Sequence, residues 1–288
     1  MRHNHNARDA LLFSLPFLIV YLAFLVLPIF YGIYLSFFDW NILSGKRFIG
    51  FLNYLDAFKD DKFLSSLLHT CEFVLISTPT IIVAGFLMAL IVMSSSKLKR
   101  GAETVFFMPY ILSITVVGTL WSWIFQGSFG ILNQTLLALG LRTVGWLTDP
   151  KTAMWSIACA TVWWTAGFNM ILFTAGIKQI PDDVYEAAKL DGAGYFTTLA
   201  KITLPMLRNT SILVLILQVI ASFKVFGQSY VMTGGGPYGS TRVLVQYIYE
   251  TGFTYFRMGY ASAMSILLFL IILFVSIFQF AAAKGEGK

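Results

Sequence analysis

Apolar positions fill long runs of this chain, broken by short polar segments. Six runs stand out, at about 11–37, 69–94, 104–126, 153–177, 208–232 and 259–281. A membrane helix needs roughly 20 mostly apolar residues, because the hydrocarbon core is about 30 Å thick and each helical residue rises about 1.5 Å. The pattern therefore predicts an all-α, polytopic membrane protein with six transmembrane helices in a single domain over 1–288. Pro16, Pro28, Pro79 and Pro109 lie inside the runs. They are compatible with spans, since neighbouring helices re-satisfy the carbonyls a proline frees. The first run follows Arg2 and Arg8, as a signal peptide would, but it is longer than a signal core and no small-residue cleavage site follows it. It is expected to be a retained first span.

Composition strengthens this reading. Hydrophobic residues make up 57% of the 288 residues and charged residues 12%, against about 25% charged in a typical soluble domain. So little polar surface cannot coat a water-soluble globule of this size. The net charge of +6 fits basic residues gathered in short internal loops better than nucleic-acid binding, because no basic stretch interleaves with aromatics. Cys71 and Cys159 both lie in apolar runs and read as small fillers. Two of the three histidines fall in the first five residues, so no metal-ligand cluster forms.

An even number of spans places both termini on one side. With the N-terminus in the cytoplasm, eleven Lys and Arg fall in the internal segments and eight in the longer external ones, the direction the positive-inside rule expects. The strongest single element is the loop Ser94–Gly101, which packs Lys97, Lys99 and Arg100 together. The external connections, about 38–68, 126–152 and 233–258, carry Trp40, Tyr54, Trp146, Tyr238, Tyr247 and Tyr255, suited to an interfacial aromatic belt.

One internal connection is long, from Lys178 to Leu207. Pro181 suits the first position of a helix, and Asp182, Asp183 and Glu186 follow near the positive end of its dipole. Val184, Ala187, Ala188 and Leu190 supply helix formers and a modest apolar stripe. Gly192 supplies a stop or left-handed cap, and a second short helix is expected from Ala193 to about Lys201. From the residues alone, this helix-turn-helix either sits in another protein's groove or packs on its own membrane domain.

The spacing Glu186-Ala187-Ala188, three residues, Gly192, nine residues, then Ile202, Leu204 and Pro205 resembles the signature loop of inner-membrane permeases of binding-protein-dependent ABC importers. Phe106-Phe107-Met108-Pro109-Tyr110 and Thr233-Gly234-Gly235-Gly236-Pro237 are similar to the carbohydrate branch, within it to the maltose- and glycerol-3-phosphate-type first permease subunit. The resemblance covers essentially the whole chain. It implies a coupling helix that docks in an ATPase cleft through Tyr185, Glu186, Ala187, Ala188, Asp191, Gly192 and Ala193. It also implies alternating access, a second permease (a homologous partner), two ATP-binding subunits and an extracytoplasmic solute-binding protein, in a bacterial or archaeal plasma membrane. ATP and Mg would reside on the partner subunits, with no cofactor bound by this chain.

No phosphate-binding Gly-x4-Gly-Lys-Ser/Thr string occurs, and the Gly-rich stretch from Gly234 lacks the lysine. No catalytic residue is therefore expected. The resemblance places substrate contacts at Thr161, Trp164, Thr165 and Phe168 in the fourth span, and at Gln218, Ala221 and Ser222 in the fifth. Aromatic faces suit sugar C–H faces, and amides and hydroxyls suit sugar hydroxyls. Packing and backbone-bonding roles stay open for each of these residues. Lys224 could line the pore, pair with a partner permease, or snorkel outward. A glycerol-phosphate-type cargo is the nearest alternative. An ion-coupled secondary transporter is a weaker one, since Glu72 and Glu103 lie only near span ends.

Overall fold

The computed structural model describes residues 2–41, 45–94 and 99–285; Lys97 and Lys288, two of the basic residues assigned to the internal side, lie outside them. The chain is helical almost throughout. Helix α1 (Arg2–Tyr21) passes through a π-helical turn (Leu22–Val26) into α2 (Leu27–Ser36). A small antiparallel hairpin follows, β1 (Phe38–Asn41) and β2 (Gly45–Phe48), then α3 (Leu52–Ala57), α4 (Asp61–Ser94), α5 (Lys99–Ile111), α6 (Ile114–Ile124), α7 (Ile131–Ala138) and α8 (Pro150–Ile177). After α9 (Asp182–Leu190), α10 (Tyr195–Thr198) runs through a second π-turn (Leu199–Thr203) into α11 (Leu204–Met206). The rest is α12 (Arg208–Phe223), α13 (Gly227–Thr233), α14 (Leu244–Tyr249), a third π-turn (Glu250–Thr254) and α15 (Met258–Gly285).

Besides an isolated bridge between Asn41 and Arg257, the hairpin is the β-structure among the described residues. It is held by cross-strand pairs rather than by length. The Phe38 and Phe48 rings meet edge-on at 5.3 Å, and Lys46 Nζ sits 4.0 Å from the Tyr34 ring centroid and 4.2 Å from that of Phe38.

Four stretches are long and apolar enough to cross a membrane: Leu12–Ser36, Asp61–Met93, Pro150–Ile177 and Met258–Ala283. Two more qualify only as bent pairs, Gly101–Ile111 with Ile114–Ile124, bent by 97°, and Tyr195–Met206 with Arg208–Phe223, bent by 66°. The third and fifth runs are thus broken where the apolar pattern alone suggested continuous helices. The fifth also stops at Phe223, and α13 is a separate piece.

Proline accounts for two of the π-turns. A proline ring clashes with the carbonyl four residues before it, and it cannot donate to that carbonyl. For Pro28 and Pro205 that carbonyl belongs to Phe24 and Lys201, each inside a π-turn. Widening the helix by one residue relieves the contact without ending the helix.

The chain divides into two compact units. The first comprises 1–64 and 247–270, the second 65–246 and 271–288. In the second unit α8 is central and packs against α5, α6, α12 and α13. Its first turn is fixed by Asp149, whose side chain accepts from the Lys151 N–H at 2.9 Å, and by Pro150 at the first helical position. Close approach to α5 rests on Gly167, where a Cβ would overlap the Phe106 carbonyl. Small residues are what allow such backbone contact between spans. Two apolar clusters flank α8. One gathers Phe73, Phe125, Met154 and Ile157; the other gathers Met170, Phe173, Leu207 and Val214.

Candidate functional site

Thr161, Trp164, Thr165 and Phe168 stand at i, i+3, i+4 and i+7 along α8, so they share one face. Gln218, Ala221 and Ser222 repeat the same spacing on α12. The fold turns these two faces toward each other. All seven residues line one cavity of about 810 Å³.

The break in the third span completes the wall. Leu112 loses its helical partner at the 97° bend, and the Trp164 indole N–H donates to its carbonyl at 3.2 Å. Ser113 caps the new helix, accepting from the Val116 N–H at 3.4 Å. With its N–H engaged, Trp164 offers the cavity a ring face. Phe168 stacks on Tyr110 with centroids 4.9 Å apart and planes 18° from parallel, and Tyr110 lies 6.2 Å from the Trp164 ring.

At the inner wall a polar relay joins three spans. Asn169 Nδ2 donates to Gln218 Oε1 at 3.0 Å, and Gln218 Nε2 donates to Ser222 Oγ at 3.2 Å. Thr78 Oγ1, from α4, donates to Ser222 Oγ at 2.9 Å. These side chains are buried, and mutual satisfaction avoids the cost of an unpaired polar group in an apolar setting. Thr161 and Thr165 donate to their own helix, to the carbonyls of Ile157 and Thr161, each at 2.8 Å. Toward the cavity they present acceptor lone pairs only. Open donors include the Gln228 amide, on α13, the Lys224 ammonium, and the Tyr110 and Thr115 hydroxyls, all of residues in the lining. Acceptors, amide and ammonium donors, and ring faces together suit a polyhydroxylated ligand with apolar C–H faces.

Sequence reasoning missed Tyr110, Thr115 and Gln228 as wall residues, and Thr78 as the partner of Ser222 behind the wall. Tyr110 stood inside a motif already singled out, but that motif does not say that α5 packs on α8 and so brings Tyr110 to Phe168. Thr78 carries no sequence signal beyond a hydroxyl in an apolar run. Trp163, in the same stretch as Trp164, turns away and meets Trp121 edge-on at 5.8 Å.

The second candidate site is the segment 178–207. Pro181 is the N-cap of α9 rather than its first helical residue, and Asp182 and Asp183 occupy the first turn. At the other end Gly192 adopts φ +76°. The Ala193 N–H donates to the Ala188 carbonyl at 2.9 Å and the Gly192 N–H to the Lys189 carbonyl at 3.1 Å. That is the paired bonding of a Schellman cap, which glycine permits at least strain.

The helix has two faces. Ala188 is buried, and Tyr185 packs on the Phe173 cluster while its hydroxyl lies 3.3 Å from Thr203 Oγ1 in the second π-turn. Glu186, Ala187, Asp191 and Gly192 point outward, beside Leu190 at 89% exposure; Ala193 is half-buried. The return helix begins at Tyr195 and continues to Met206, past the end expected near Lys201. Pro205 is absorbed by the π-turn.

Among the described residues no group of three His, Cys, Asp or Glu could hold a metal ion. Cys71 and Cys159 are free thiols.

A transmembrane scaffold with a polar-aromatic cavity and a projecting loop defines a membrane permease. The chain belongs to the family described as binding-protein-dependent transport system inner membrane component, which matches residues 57–285. The probable ABC transporter permease protein YurN of Bacillus subtilis (strain 168) is 37% identical over 99% of both chains. The trehalose/maltose transport system permease protein MalF of Thermococcus litoralis is 34% identical over 93% of this chain and 91% of that one. The crystal structure of a bacterial ABC transporter involved in the import of the acidic polysaccharide alginate superposes over 100% of both chains, with a TM-score of 0.88 and 26% identity.

Proposed function

We propose that this chain is the permease subunit of an ATP-driven importer of sugars or oligosaccharides, with both termini cytoplasmic. It works by alternating access beside a second, homologous permease. Two ATP-binding subunits drive it, and an extracytoplasmic solute-binding protein supplies its cargo. ATP and Mg act on those partners, and this chain hydrolyses nothing.

The observation that carries this reading is the two-faced helix α9. Tyr185 and Ala188 tie it to the membrane unit, while Glu186, Ala187, Leu190 and Asp191 are exposed, which leaves that face free for a partner. A rigid helix held this way transmits closure of an ATPase dimer to the spans as a rigid-body movement. The link is short: Tyr185 touches Thr203, and the π-turn containing Thr203 leads through the 66° bend into α12, which carries Gln218 and Ser222.

The sugar assignment rests on the cavity. Its ring faces and acceptor-rich polar edge suit carbohydrate, and the relatives named for trehalose, maltose and alginate transport lend support. A cavity without carboxylates in its lining gives an ion-coupled carrier no proton or cation relay.

The test is uptake by the complete transporter carrying Glu186→Lys or Gly192→Asp. Reversing the charge at the docking face should lower ATP-driven uptake by about tenfold or more, with the chain still membrane-inserted at normal levels. Unchanged uptake in both variants would remove the coupling role from this loop.

A further inference from the structure

Lys224 is the only charged side chain in the lining of the 810 Å³ cavity. It sits at the C-cap of α12, with its backbone N–H donating to the Ala221 and Ser222 carbonyls. A cation at a helix C-terminus is favourable against the helix dipole, and that accounts for a basic residue at this position. It does not account for the placement of Lys224, exposed in this chain, among the residues that line the same space as Trp164, Phe168 and Gln218. No carboxylate of the described residues lies within ion-pair distance of the ammonium. When the cavity closes around cargo and water is expelled, an ammonium with no counter-charge is penalised. A neutral sugar solvates it only through hydroxyl oxygens. An anionic group on the cargo removes the penalty and gains a charge-assisted hydrogen bond.

Resting on the carbohydrate reading above, we propose that Lys224 is the charge-reading residue of the cavity and that the cargo is an acidic carbohydrate, a sugar bearing a carboxylate, sulfonate or phosphate. The aromatic wall and the threonine acceptors hold the ring, and Lys224 selects the acid at the cavity edge where α12 ends. The remaining source of counter-charge, a carboxylate of the partner permease, is an outcome of the test.

The experiment measures ATP-driven uptake by the complete transporter, with partner permease, ATPase and binding protein, in membrane vesicles. Its probes are matched neutral and acidic disaccharides: galactobiose with digalacturonate, mannobiose with dimannuronate, and cellobiose with its uronic-acid form. Glucose 6-phosphate and a 6-sulfonated hexose identify which acid is preferred. At least one acidic probe should be imported in preference to its neutral counterpart. Lys224→Gln should cut acidic uptake about tenfold or more, several-fold further than it cuts neutral uptake, and Lys224→Arg should retain the preference.

Import of the neutral probes alone, or acid uptake that survives Lys224→Gln, would overturn the proposal while leaving the carbohydrate reading intact. An equal fall for both classes would assign Lys224 to the partner permease or to holding α12, and would also overturn it. Import of none of the probes would remove the carbohydrate reading itself, and this inference with it.

Discussion

Asp60 unites two roles that the sequence keeps apart. It precedes α4 and accepts from the Lys62 N–H at 2.9 Å, as an N-cap does. Its other oxygen accepts from the hydroxyls of Tyr247 at 2.6 Å and Tyr260 at 2.8 Å. Burial pushes its pKa up, but the two tyrosines and the backbone N–H groups of Lys62 and Phe63 together hold it below the ordinary 3.8. Tyr247 moves the opposite way, raised by burial and by the carboxylate it serves. Because the folded pKa of Asp60 lies below its unfolded value, its contribution is complete above the unfolded pKa and is lost as pH falls through the folded one. The protein in detergent should therefore lose thermal stability below about pH 4. Asp60→Asn should lower the melting temperature at neutral pH and flatten the acid limb; an unchanged acid limb would remove Asp60 from this role. None of this cluster was legible in the sequence. Asp60 and Tyr260 are 200 positions apart, one in a polar connection and the other inside an apolar run, and neither residue type is unusual there.

At the scale of elements, what could be read was what local chemistry decides. The α9 helix, its acidic first turn and its stop at Gly192 follow from adjacent residues, and so do the shared faces of α8 and α12, which need only helical spacing. The 97° break of the third span was not readable. Pro109 lies in a run whose composition permits a continuous helix, and the break is stabilised by Trp164, more than fifty residues later in the chain. The approach of α5 to α8 was equally hidden, because a glycine in a span has many uses. The structure gives Gly167 a specific one, and opposite outcomes follow for one substitution at two sites. Gly167→Ala forces a methyl into the Phe106 carbonyl and should cost about 1–3 kcal/mol. Gly101→Ala, in α5 with open space around it, should be neutral or stabilising by up to about 1 kcal/mol through helix propensity. Melting temperatures of the purified variants check the contrast; equal effects would mean α5 and α8 are not in backbone contact.

For the whole molecule, the apolar surface is far from spent within one chain. None of the most apolar window of the first span is buried, and only 6% of that of the last, against 56% for α8. Lipid or a second permease must cover what remains, in keeping with a chain that forms part of a larger transporter. The central claim, that this transporter is powered through the 178–207 loop, is tested most directly by contact. A photo-crosslinking side chain placed at Leu190 in the intact transporter should capture the ATP-binding subunit, with a yield that changes when ATP is added. The same group at Phe278, 67% exposed on α15, should not capture that subunit. A transporter that still imports its cargo while position 190 captures no ATP-binding subunit would contradict the account.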